Sequence, residues 1–324
     1  MRASALAALV LLAAEPARAW VCSRACDADN HETGPSLSWS KRNLTYAFMA
    51  GGTTHLPMDQ TFATLRASFQ TWVGVSECTA PNRQTDITFT EEPNVVTQDL
   101  VGYDFLHPDQ NHNLMIFRDD GWPHPGQQGS RIIALTTTTY SSQTGEILDA
   151  DIEFNSANFE FTIGDVIIKT DLMNTAVHEI GHILGLGHPD LWTAIDPDCV
   201  TGATMCSTAQ LGDIDKRTLA CDDRNAEVFK YPANTPNGYC AVPTCTAQAE
   251  ACGSCSSAAC TDWAHCGFCA PPTPLENTAT VSVIDFDNGT GGCGCKSSAD
   301  PGTVAALFLT GVGILVQHRR SRRR

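Results

Sequence analysis

Eleven residues concentrate the chemistry of this 324-residue chain: His178-Glu179-Ile180-Gly181-His182-Ile183-Leu184-Gly185-Leu186-Gly187-His188. The pattern is H-E-x-x-H-x-x-G-x-x-H. On a helix, His178 and His182 project from one face a turn apart, so both imidazoles can reach a single ion. Glu179 flanks that face, where it can touch a water held by the same ion. Gly185 is a poor helix interior residue but accepts positive φ without steric cost, so the helix can end there and the chain turn back with His188 as a third ligand. Three neutral imidazoles leave one position of a tetrahedral zinc open for water, which is the catalytic arrangement. A core helix that happened to carry histidines would need neither the glutamate nor the glycine.

The elements that must hold these residues can be read around them. Leu172, Met173, Ala176, Val177, Ile180, Ile183 and Leu184 supply a buried helical face. Thr170 or Asp171 can cap its start. Upstream, Leu44–Met49 reads as a first strand, and Pro57 opens a helix with Phe62, Leu65, Phe69, Trp72 and Val73 on one stripe. Asp86–Thr90 and Asn113–Phe117 read as further strands, and Ile132–Tyr140, rich in β-branched residues, as another. Downstream, Asp222-Asp223 opens a last helix that ends at Lys230 before Pro232.

The histidine stretch resembles the metzincin metallopeptidases. That resemblance implies a methionine turn beneath the metal, and Met205 in Ala203-Thr204-Met205-Cys206 fits, 17 residues after His188. The Gly187-His188-Pro189-Asp190 continuation and the short spacing resemble the matrixin branch. Pro189 stands where Ser or Thr is often found, and no Tyr-Pro follows Met205. The pattern Leu219-x-x-Asp222-Asp223…Tyr231-Pro232 resembles the closing helix of matrixin-like domains, so the resemblance spans about residues 37–232. It implies an α+β fold: a twisted mixed sheet, long helices and an active-site helix, followed by a small Cys-rich segment. It also implies a zinc-dependent endopeptidase with Glu179 as general base, and places Ile132–Tyr140 nearest the cleft, pairing with an extended peptide. The physics of such pairing is strand addition at an exposed sheet edge.

In Gly145–Asn155, Asp149, Asp151 and Glu153 alternate with Ala150, Ile152 and Phe154, so three carboxylates share one strand face. Such a face is either solvated or bridged by a cation, and oxygen ligands suit Ca²⁺; matrixins carry a calcium-binding acidic strand near here. His107, His112 and His124 lie in polar, loop-like sequence, where a second zinc is the alternative to simple solvation.

The ends speak to location. Residues 1–19 read as a signal peptide, with Arg2, an apolar run from Ala5 to Ala14, and Ala17-Arg18-Ala19 before Trp20. Export agrees with 15 cysteines, which an oxidising compartment can pair. In the N-terminal segment 20–36, Cys22 and Cys26 can either staple the chain or offer a thiolate to the open zinc position, and the disulfide reading is favoured. The catalytic domain then occupies 37–232. Residues 233–270 hold seven cysteines between Cys240 and Cys269, read as a disulfide segment rather than a zinc ribbon. Residues 271–292, from Pro271 onward, read as a linker. The segment 293–324 carries Gly292-Cys293-Gly294-Cys295 at its border, an apolar run from Thr303 to Val316, and five terminal arginines. It resembles the C-terminal sorting tail of myxobacterial surface proteins, which implies processing near Cys293 and Cys295 and a membrane association before or after that step.

The net charge is −16; without residues 1–19 and 296–324 the chain keeps 12 basic against 34 acidic residues, a net of −22. Such acidity disfavours nucleic acid and anionic lipid as partners. The expected partner is a protein or peptide substrate, and the sequence fixes neither its identity nor the oligomeric state. Two other readings stand beside the general peptidase: a surface adhesin that works through the Cys-rich segment, and a peptidase restricted to self-processing.

Overall fold

The computed structural model describes residues 20–25, 34–78, 80–124, 131–190, 199 and 202–237, and the backbone of 278–283. Ten strands and three α-helices follow in the order β1 (Val21–Cys22), β2 (Asn43–Phe48), α1 (Met58–Thr71), β3 (Thr88–Glu91), β4 (Leu114–Phe117), β5 (Ala134–Tyr140), β6 (Ile147–Phe154), β7 (Phe161–Thr162), β8 (Thr170–Asp171), α2 (Leu172–Ile183), β9 (Leu186–Gly187), α3 (Cys221–Lys230) and β10 (Thr278–Val283). Six strands form one mixed sheet in the order β10-β5-β6-β4-β2-β3. The β3, β2, β4 and β6 neighbours run parallel, and β5 and β10 are antiparallel. The α+β class read from the sequence is therefore the fold observed.

The core lies between this sheet and α1 and α2. Phe62, Leu65 and Phe69 of α1 and Trp72 just beyond it are buried, as the helical stripe predicts, while Val73 is only half-buried. Phe48 stacks on Phe62 and Tyr46 on Phe69, which fixes α1 across β2. Trp72 donates its indole N–H to the Val177 carbonyl at 2.9 Å, tying α1 to α2.

Three differences from the sequence reading matter. The first is the acidic face of β6, which is enclosed: Asp149, Asp151 and Glu153 are each no more than 2% exposed. The second lies in 271–292, read as a linker; its Thr278–Val283 forms β10 along the outer edge of β5. Pro and Asn around it masked a run of β-branched residues. The third is a disulfide joining Cys78 to Cys221, stapling the chain after α1 to the start of α3. Residues 1–19, most of the Cys-rich segment, and the tail with Cys293 and Cys295 lie outside the described residues. Among the described residues no helix is long and apolar enough to cross a membrane.

Candidate metal centre

Helix α2 starts at Asp171, whose side chain accepts the Asn174 N–H at 2.7 Å. Arg217 grips the same carboxylate through Nε at 2.9 Å and Nη2 at 2.6 Å, so the cap is itself held. The helix ends at Leu184, and Gly185 takes φ +74°, the left-handed turn expected of it. A Cβ at Gly185 would lie 2.4 Å from the Leu37 carbonyl oxygen, so close approach demands glycine there as well. Three side chains close the helix exit. Trp39 donates Nε1–H to the Ile183 carbonyl at 2.8 Å, Tyr231 its hydroxyl to Leu184 at 3.0 Å, and Lys230 its ammonium to Gly185 at 2.8 Å. The last carbonyls of a helix lack internal partners, and here side chains from both flanks of the domain supply them.

The turn then returns His188 to the helix. Its Nε2 stands 3.1 Å from His178 Nε2 and 3.0 Å from His182 Nε2, and all three rings are buried. Nitrogens bound to one tetrahedral zinc at about 2.05 Å would stand about 3.3 Å apart. The donor set therefore fits that ion. His178 Nδ1–H donates to the Thr204 carbonyl at 2.6 Å and His182 Nδ1–H to Leu186 at 2.7 Å. These bonds fix the tautomer and aim each Nε2 lone pair at the common point. Burial holds all three imidazoles below their ordinary pKa, His182 at about 4, so each is neutral and able to ligate.

Glu179 is fully buried one residue on from His178. Its Oε2 accepts a hydrogen bond from the Thr136 hydroxyl of β5 at 2.5 Å, and its Oε1 has no partner among the described residues. Burial pushes its pKa up to about 8 against the opposing pull of Thr136 and Lys216. Lys216 is buried behind the site, donates to the Cys206 carbonyl and lies 3.4 Å from His178 Nδ1; burial brings it down to about 8.

Met205 lies beneath the histidines. A Cβ on Gly181, one residue before His182, would stand 2.2 Å from Met205 Sδ. Asp223 holds this turn by accepting the N–H groups of Thr204 at 2.8 Å and Met205 at 3.2 Å. Cys199–Cys206 and the bond from Ser207 N–H to Asp190 at 2.9 Å join it to the chain that follows His188. Thr136, Lys216 and Asp223 were not singled out for the site from sequence; Asp223 was read only as a helix start.

The other expected sites resolve differently. Asp149 and Asp151 hydrogen-bond to each other, and Asp151 also accepts Gly102 N–H at 2.6 Å and Leu114 N–H at 2.9 Å. Glu153 is taken by Arg118 at 2.5 Å and His124 at 2.8 Å. The three carboxylates of the calcium expectation thus divide between two networks. Burial raises both aspartates above the ordinary carboxylate range. His107, His112 and His124 each meet a different carboxylate, Asp104, Glu92 and Glu153, and do not converge. Cys22 is in a disulfide and offers no thiolate; Cys26 lies outside the described residues. β1 instead pairs with β9, Cys22 opposite Leu186, bracing the turn before His188.

The family model for matrixin matches residues 38–226, more than half of the chain. The chain belongs to the matrixin family. A relative of this matrixin is the Arabidopsis thaliana protein named metalloendoproteinase 5-MMP, 30% identical over 201 residues. The aligned part is 61% of this chain and 46% of that protein, so the matrixin spans about half the length of its relative. Matrixins use catalytic zinc, and His178, His182 and His188 are the residues here that fit such an ion.

Proposed function

We propose that this matrixin is an exported zinc-dependent endopeptidase in which Glu179 is the general base. The observation that carries the reading is the pairing of a converging neutral histidine triad with a buried carboxylate oxygen that has no partner among the described residues. A structural metal site has no use for such a group. Bound zinc would polarise the scissile carbonyl and acidify a water. Glu179 would accept a proton from the attacking water as the water oxygen bonds to the carbonyl carbon. It then delivers the proton to the amide nitrogen as the carbon–nitrogen bond breaks. Thr136 holds the carboxylate in place, and the Thr204 and Leu186 carbonyls hold the histidines.

Export is supported by the residue 1–19 pattern and by the Cys78–Cys221 and Cys199–Cys206 disulfides, which persist in oxidising compartments. Attachment at the cell surface through the 293–324 tail belongs to the same proposal.

The test is zinc content and cleavage of a mixed peptide library by the full chain and by Glu179→Ala. Both should hold one zinc per chain. Only the parent should cleave, with turnover in the variant down by about 10³-fold or more. Zinc without cleavage in the parent would favour the adhesin reading; cleavage confined to its own chain would favour self-processing. Equal cleavage by the variant would remove Glu179 from the mechanism.

A further inference from the structure

We propose that the outer edge of β5 is a strand-docking site, and that the chain's own Thr278–Val283 is its resident occupant, withholding that edge from peptide substrates. The inference rests on the peptidase reading above. β5 pairs with β6 on one side and with β10 on the other, in antiparallel register from Thr278 opposite Tyr140 to Val283 opposite Leu135. That register sets Ser282 beside Thr136, the residue whose hydroxyl reaches Glu179. Neighbouring strands lie about 4.8 Å apart, so the added backbone runs directly alongside the residue that positions the base.

An open sheet edge presents unpaired N–H and C=O groups that an extended peptide of almost any sequence can satisfy. Those groups pair in the plane of the sheet, and the edge holds one strand at a time. Six of the seven residues of β5 already have partners in β10. The occupant suits the position: Thr278-Ala279-Thr280-Val281-Ser282-Val283 is uncharged, lacks proline, and is mostly β-branched. It also belongs to the same chain, and a covalently linked occupant competes at a local concentration of roughly millimolar order against dilute free peptides.

The experiment compares the zinc-loaded full chain with its Val281→Pro/Ser282→Pro double variant. Successive residues of an antiparallel strand direct their backbone groups to opposite sides, so one of the two prolines removes a bond to β5 whichever way the strand faces. Amide hydrogen exchange of β5 and residues 278–283 reports docking, and kcat/KM on a mixed peptide library reports access. In the parent both segments should be protected. In the variant protection should be lost and kcat/KM should rise about tenfold or more, the factor for an edge open one-tenth of the time.

An unprotected edge in the parent would overturn the docking. Lost protection with an unchanged, measurable kcat/KM would overturn the inhibition and leave β10 as a simple edge cover. Cutting within 278–283 by the parent but not by Glu179→Ala would make the segment a substrate instead. If neither chain cleaves any peptide while holding zinc, the peptidase reading falls and the inhibition with it, while hydrogen exchange still decides whether the strand docks.

Discussion

Glu179 has one carboxylate oxygen committed to Thr136 and one buried without a partner among the described residues. An unpaired buried polar atom costs about 1–3 kcal/mol, and proteins keep one where chemistry will use it. Thr136→Val tests the committed oxygen. The hydroxyl pulls the Glu179 pKa down against burial. Its loss therefore raises that pKa, and because a base must be ionised, the acidic limb of the kcat/KM–pH profile should move to higher pH. Zinc content should stay the same. At this scale the converging histidines and the carboxylate beside them were legible because helix geometry fixes what residues one and four apart can reach. Thr136 was not, because it lies 43 residues from Glu179 and a threonine in a strand reads as a β-former.

Each helix or strand around the site solves a problem the motif cannot solve alone. The exit of α2 needs donors, and Trp39, Lys230 and Tyr231 bring them. Tyr231→Phe keeps the packing and strands the Leu184 carbonyl, and it also removes the acceptor of the Trp39 backbone N–H at 3.2 Å. It should lower unfolding stability by about 1–3 kcal/mol in a urea titration. Weaker zinc retention should accompany it, since Gly185 is where the chain turns toward His188. The helices and five of the ten strands, β2 to β6, were legible from period and boundary residues. The enclosed face of β6 was not, because an alternation of carboxylates and apolar residues is also the pattern of a strand with one wet side. β10 escaped because its surroundings have a linker's composition.

Across the molecule, the Asp149–Asp151 pair links pH to stability. Burial raises both carboxyls above their unfolded values. Such groups contribute stability that is complete below the ordinary carboxylate range, about pH 4, and is lost as pH climbs through the raised folded values. The midpoint of thermal unfolding should therefore fall on going from mildly acidic to mildly alkaline buffer. Asp149→Asn, which can donate to an ionised Asp151, should flatten that fall. The pairing of Cys78 with Cys221 belongs to this scale too and was beyond the sequence, since 143 residues separate the partners and spacing alone leaves connectivity open. The groups that finish the metal centre come late in the chain: Asp223 fixes the Met205 turn, and Lys230 and Tyr231 close the exit of α2. During synthesis the three histidines are made well before these closing groups. The metal centre is therefore complete only once the chain has been made as far as residue 231 and that stretch has packed back onto α2.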